Sequence, residues 1–189
     1  MITDISAPKR APTPLDVLQR FVNSVSFERG EEELSSPDAL RGWLADRGLM
    51  GPGDPVTEGD LSRALDVREG LRALLFANNG HPLDAAAVER LDRAASRAAV
   101  RLRFEDDGTP TLEPDATGLD GAIAQLMAAV AEASVEGSWE RLKACPEDSC
   151  RWAFYDRSKN RSAKWCSMQT CGNMAKARAY RARHRSASA

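Results

Sequence analysis

All four cysteines of this chain fall in its last quarter, in two pairs with four residues inside each. The pairs read Cys145-Pro146-Glu147-Asp148-Ser149-Cys150 and Cys166-Ser167-Met168-Gln169-Thr170-Cys171, with fifteen residues between them. A segment of about 45 residues cannot bury enough apolar surface to fold without a metal or another staple. Two thiol pairs on short turns can converge on a single ion. Four thiolates leave no open position, so such a site is structural and not catalytic. One zinc ion per chain, held by Cys145, Cys150, Cys166 and Cys171, is the expected occupant. Two disulfides in an oxidising compartment and an iron–sulfur cluster are the competing uses of four cysteines. The two histidines, His81 and His184, stand far from the pairs in sequence and read as surface residues.

The formal net charge of −2 over 189 residues conceals an asymmetry. Residues 141–189 carry 12 Lys/Arg against 3 Asp/Glu, a local charge of +9, while residues 1–140 carry 14 basic and 25 acidic residues, a local charge of −11. An acidic body therefore precedes a basic end, a pattern that suits an anionic partner for the end alone. Hydrophobic content of 42% and charged content of 29% are those of an ordinary globular protein. No apolar run approaches the roughly 18 residues needed to span a bilayer. The polar start has no apolar stretch of the secretory type. A cytoplasmic protein without a membrane partner is the expectation.

The body reads as mainly helical. Residues 1–12 are polar with two prolines and are expected to be disordered. Thr13-Pro14 reads as a helix start with a capping hydroxyl, followed by Leu15, Leu18, Val22 and Val25 at helical spacing. Ser36-Pro37-Asp38 repeats the start signal, Thr57 with Asp60 resembles a capping arrangement, and Asp84 opens a further helix. Residues 28–35, with Glu31, Glu32 and Glu33, read as a solvated loop. Val100-Arg101-Leu102-Arg103-Phe104 alternates with period two before an Asp-Asp-Gly turn, so a β-hairpin is expected over 100–113. A last helix spans about 119–135. The expected fold class is an α+β body, mainly α with one small hairpin, over residues 13–137. A treble-clef-like zinc finger with four cysteine ligands, ending in a basic helix, follows over 138–189. The finger's hairpin is expected between the cysteine pairs, with arms at 152–155 and 164–165. Because the body's apolar stripes all precede residue 137, it is expected to stay folded without metal.

The segment 145–185 resembles the CGNR zinc-finger family of bacterial proteins classed as transcription regulators. The resemblance rests on the four cysteines, Phe154 and Asp156, Ser158-Lys159-Asn160-Arg161, Trp165-Cys166-Ser167-Met168, Cys171-Gly172-Asn173, Lys176, Tyr180, Arg181 and Arg183. Met174 stands where that family has its namesake arginine. The body resembles the helical ABATE-type domain that precedes the finger in such proteins, through Phe21-Val22-Asn23-Ser24-Val25 and Arg68-Glu69-Gly70-Leu71-Arg72. The resemblance implies a DNA-binding regulator whose body senses a signal or dimerises.

On a helix after Cys171, Ala175, Ala179 and Ala182 share one small face, flanked by Arg178, Arg181 and Arg185 on one side and Lys176, Arg183 and Tyr180 on the other. Lys159, Arg161 and Lys164 add charge from the preceding turn. Cations of this kind contact phosphate and supply affinity more than sequence discrimination. Asn173 and Arg178 are the expected base readers by residue type. Asn23 is a candidate ligand or dimer site of the body, with a local helix-ending role as the alternative. An RNA-binding module using Trp152, Phe154 and Tyr155 as stacking platforms, or a protein-interaction adaptor with a structural zinc, are the other function classes. A small-molecule ligand of the body and a homodimer remain open. No phosphate-cradling glycine loop, nucleophile elbow or paired-histidine zinc-hydrolase helix is present, so no enzyme is expected.

Overall fold

The computed structural model describes residues 9–186, with side chains through His184. The expected disorder lies outside the described residues for 1–8. Residues 9–12 correct it: Ala11 is buried, its N–H donates to Gln19 Oε1 at 2.6 Å, and Arg10 donates to Asp16 at 2.7 Å. A captured backbone amide and a filled core position hold this short polar stretch in place.

Helix α1 spans Leu15–Val22 and buries Leu15, Leu18, Phe21 and Val22. Pro14, not Thr13, occupies its N-cap position, and no side chain caps it. Helices α2 (Pro37–Ala45), α3 (Glu58–Asn78) and α4 (Ala85–Ala95) start where their caps predict. Ser36 Oγ accepts from Ala39 N–H at 3.1 Å, Asp84 from Ala87 N–H at 3.0 Å, and Thr57 and Asp60 form a reciprocal capping box. Strands β3 (Val100–Phe104) and β4 (Pro110–Pro114) pair antiparallel with Leu102 opposite Leu112. Helix α5 (Gly118–Val135) places Ile123 and Leu126 in the core beside Phe21, Leu40, Leu71 and Leu75. Helices α3 and α4 approach closely because of Gly70, where an added Cβ would lie 2.6 Å from Leu91 Cβ. No helix among the described residues is long and apolar enough to cross a membrane.

The acidic stretch 28–35 is solvated as expected over 28–31, but not at Glu32 and Glu33. Strands β1 (Val25–Ser26) and β2 (Glu31–Glu32) form a minimal hairpin. Glu32 accepts both terminal nitrogens of Arg68 at 2.8 Å, and Glu33 accepts from Trp43 Nε1 at 2.9 Å. These acids serve a buried cation and a buried indole.

Arg72 is the largest fully buried side chain of the described residues, at 1% exposure. Its Nε donates to Glu69 Oε2 at 2.9 Å, its Nη2 to Val22 O at 2.6 Å and its Nη1 to Arg151 O at 2.9 Å. Burial pushes its pKa down, and the Glu69 carboxylate opposes that shift. One guanidinium thus joins α1, α3 and the region of the cysteines.

That region begins with a 3-10 turn (Trp139–Arg141), then β5 (Leu142–Ala144) and β6 (Ala153–Tyr155), paired antiparallel with Ala144 opposite Ala153. The finger's hairpin therefore frames the first cysteine pair and does not lie between the pairs. Its expected second arm, 164–165, is not a strand. Leu142, Ala144, Ala153 and Tyr155 belong to the same apolar core as Leu75 and Leu126. The core therefore runs across residue 137, where the sequence reading divides body from finger.

Arg72→Ala empties a buried site, removes the guanidinium donor of the Val22 and Arg151 carbonyls and leaves the half-exposed Glu69 carboxylate with Arg68 alone. It is expected to destabilise the protein by about 3–5 kcal/mol, read by denaturant titration. Gly70→Ala must open the α3–α4 contact and is expected to cost about 1–3 kcal/mol by the same measurement.

Candidate metal centre and nucleic-acid interface

The β5–β6 pair has only two strands, so peptide groups along its edges lack a strand partner. Amide side chains of the body fill that role. Asn23 Oδ1 accepts from Ala153 N–H at 2.7 Å while its Nδ2 donates to Ala153 O at 2.9 Å. Gln19 Nε2 donates to the same carbonyl at 3.0 Å. Asn78 Nδ2 donates to Trp139 O and Leu142 O, both at 3.0 Å. Asn79 Nδ2 reaches Ala144 O at 2.8 Å and Lys164 O at 2.9 Å. Asn23 is buried and wholly engaged here. Its side chain is taken up by Ala153, 130 residues away, which leaves it no free group for a ligand, while its backbone ends α1 as the local reading expects, its N–H donating to Gln19 O at 3.0 Å.

This platform carries the thiols. Cys145 follows β5, Cys150 precedes β6, and the four sulfurs lie within 4.8 Å of one another. Cys150 Sγ is 3.5 Å from Cys166 Sγ, which is 3.6 Å from Cys171 Sγ. Sulfurs placed tetrahedrally at about 2.3 Å from one ion are about 3.8 Å apart, close to these two separations, so the donor set suits zinc. Hydrogen bonds from the Cys150 and Cys166 thiols, outweighing burial, pull the Cys145 thiol well down from its ordinary range. The same bonding to Cys145, together with burial and its negative charge, pushes Cys150 and Cys166 up. Burial pushes Cys171 up as well. A dication supplies the charge that lets all four ionise, and its uptake releases protons.

Between the cysteine pairs the chain winds around a fully buried carboxylate. Asp156 Oδ2 accepts from Lys143 Nζ at 2.8 Å and Ala163 N–H at 2.9 Å, and Oδ1 from Ser158 N–H at 2.9 Å. Burial would raise its pKa, but the Lys143 ammonium and the Ser158 donor outweigh that and hold it at about 2, against an ordinary 3.8. A lowered acid pKa stabilises the fold above pH 3.8, and that contribution disappears as pH falls through about 2. At neutral pH the pair contributes in full. It explains why 156–163 forms a loop where the sequence suggests a hairpin.

Cys171 sits in a π-helical turn (Met168–Gly172) that opens directly into helix α6 (Asn173–Ser186). Gly172 is closely approached there: a Cβ would lie 2.5 Å from Met168 Sδ, on a side chain exposed enough to shift, and 3.2 Å from Trp165 Cδ1. Arg178, expected to read a base, instead grips Glu147 of the first cysteine turn, through Nη1 at 2.6 Å and Nη2 at 2.5 Å. Glu147 is 2% exposed, so the pair ties the helix to the first turn as Cys171 ties it to the second. Asn173 Nδ2 donates to Gln169 O at 2.9 Å, and Arg161 pairs with Glu140. Lys159, Lys164, Lys176, Arg181 and Arg183 are exposed or half-buried and make no ion pair among the described residues. The side chain of Arg185 lies outside the described ones. Ala179 is exposed, so the alanine face is not packed on the finger and α6 projects beyond its first turns. Phe154 and Tyr155 are buried, at 1% and 8% exposure, and are core rather than stacking platforms.

A family model described as "CGNR zinc finger" matches residues 141–184. A second, ABATE, described as "Putative stress-induced transcription regulator", matches residues 15–137, well over half of the chain. The chain belongs to this family. No curated protein matches it. The CGNR finger's four thiolates hold one structural zinc ion. The ABATE region supplies Gln19, Asn23, Asn78 and Asn79, and nothing in their sequence spacing marks them as supports for the finger. Asn78-Asn79-Gly80 reads simply as a helix stop. Glu147 is equally hidden in the sequence, since one acid between two cysteines resembles a solvated turn residue.

Purified protein is expected to carry one zinc per chain by elemental analysis, and Cys166→Ser to lose it. Because β5 and β6 share the ABATE core, chelation should lower the melting temperature of the whole chain. That replaces the expectation of an indifferent body at 13–137. Limited proteolysis and calorimetry in the same chelator read the difference.

Proposed function

We propose that this protein is a transcription regulator that binds duplex DNA through α6 of its CGNR finger, with the ABATE region as the part that responds to a signal. The observation that carries this reading is the set of cations without carboxylate partners on and beside a helix anchored at two points. Lys176, Arg181 and Arg183 lie along α6, with Lys159 and Lys164 on the adjoining loop. A rigid, projecting, positive helix is what a major groove admits. The zinc has no catalytic part here, because four thiolates fill its coordination sphere. Its work is to fix the origin and direction of α6.

Family membership as a transcription regulator supports DNA over other anions. The burial of Phe154 and Tyr155 takes away most of the stacking surface an RNA module would need. Arg178 is a positioning residue in this reading, because its guanidinium is occupied by Glu147. Met174, 39% exposed on the first turn of α6, takes the place of the family arginine and adds no charge there.

Binding to duplex DNA is expected to weaken steeply with salt. If four to six phosphates are contacted, log affinity against log salt should fall with a slope of roughly −4 to −5. Arg181 and Arg183 changed together to Ala should make that slope shallower by about two. Glu147→Gln removes the carboxylate that ties Arg178 to the first cysteine turn and should lower the melting temperature of the zinc-loaded protein. Full-length protein that shows no salt-dependent binding to any duplex, yet captures a protein partner through 145–185, would establish the adaptor reading instead.

A further inference from the structure

A cleft of about 450 Å³ opens between the C-terminal half of α3, the start of α4 and the first cysteine turn. Arg72, Phe76, His81, Arg90 and Arg151 line it. Its two carboxylates are already engaged. Glu69 pairs with both Arg68 and Arg72, and Asp84 accepts from Ala87 N–H as the α4 cap. Arg90 and Arg151 have no ion pair among the described residues. The Arg151 guanidinium lies 5.0 Å from the Phe27 ring and 5.6 Å from the Phe76 ring, which orients the cation without neutralising it. Its backbone is held at φ 53°, a left-handed conformation that non-glycine residues seldom adopt. That turn delivers the Arg151 carbonyl to Arg72 and the Arg151 side chain to the cleft.

We propose that this cleft binds a small organic anion, its carboxylate or phosphate group held between Arg90 and Arg151 and its apolar part against Phe76 and Pro82. Arg151 directly follows the zinc ligand Cys150, so occupancy of the cleft changes how the first cysteine turn, and through Glu147 and Arg178 helix α6, is held. The volume suits a small metabolite. An arriving anion also relieves crowding among cations, since Arg151 is one of the charges that, after burial, lower the pKa of Arg72. The proposal deepens the regulator reading by giving the class of its signal, but the binding site stands without DNA.

The test uses the full-length, zinc-loaded protein and calorimetric titration with sodium benzoate and with sodium phosphate, each against sodium chloride at matched ionic strength. One saturable site is expected for at least one of the two, and which one binds separates a carboxylate from a phosphate signal. Arg90→Gln and Arg151→Gln should each weaken it about tenfold or more, the scale of one charge-assisted hydrogen bond. Arg151→Lys should restore part of the loss. Arg93→Gln, whose native partner is Glu89 on the outer side of α4, should leave the affinity unchanged. Failure of both anions to bind saturably, or unaltered affinity in the Arg90 and Arg151 variants with circular dichroism as in the parent, overturns the site. DNA binding is then measured with and without the bound anion, in the parent and in Arg90→Gln. An anion effect that vanishes in Arg90→Gln supports transmission to α6, and an identical effect in both overturns it. Failure of DNA binding in all of these proteins would count against the regulator reading and leave the anion site standing.

Discussion

A β-hairpin of two strands leaves peptide groups along its edges that must find partners when the hairpin is buried. In this protein the β5–β6 pair is buried, and the partners are the side-chain amides of Gln19, Asn23, Asn78 and Asn79 with the guanidinium of Arg72. Without them, burying Ala144 and Ala153 would cost several unpaired polar groups, each worth on the order of 1–3 kcal/mol. With them, the hairpin extends the body's own core, and the metal centre inherits a rigid base. The position of the thiols, the direction of α6 and the shape of the arginine cleft all follow from that seam.

The finger divides its stability between two sources. Its first strands depend on the body through apolar burial and amide bonds. Its remaining length depends on zinc and on three polar ties: the Asp156–Lys143 pair, the Arg178–Glu147 pair and the bond from Lys143 Nζ to Arg161 O. A buried charge pair is worth having only where the chain has few apolar residues to offer, and 156–164 has almost none. The metal holds two loops that share little core, and the charge pairs set the angle at which they meet.

The helix that leaves this centre has the opposite character. It carries no acidic side chain over Asn173–Ser186 and little apolar surface, so it contributes little to the fold. Anchoring by Cys171 and Arg178 at its start and exposure beyond leave a stiff positive rod whose outer charges meet no carboxylate among the described residues. That contrast separates the part of the finger that the fold holds from the part whose charges face solvent. In the cleft, Arg151 is likewise oriented by the Phe27 and Phe76 rings without a carboxylate partner among the described residues.

Much of the chain is legible in one dimension. The caps at Ser36, Thr57 and Asp84 act through bonds only three residues long, and the strand Val100–Phe104 is legible from its local alternation and the turn that follows it, although all five of its residues are exposed. The four thiols are legible because cysteines so clustered have few uses. What only the tertiary structure decided lies in pairings between distant residues. Asn23 reads in sequence as a site or a cap, and its partner is 130 residues away. Arg178 reads as a base reader, and Glu147 lies beneath it. Glu32 reads as solvated, and Arg68 is buried against it. Polar side chains of this kind carry no periodicity, and their free energy depends on what the fold brings opposite them. Local sequence determines the elements and the ligands, while the seam that joins body and finger is determined by burial, which exists only once the chain is packed.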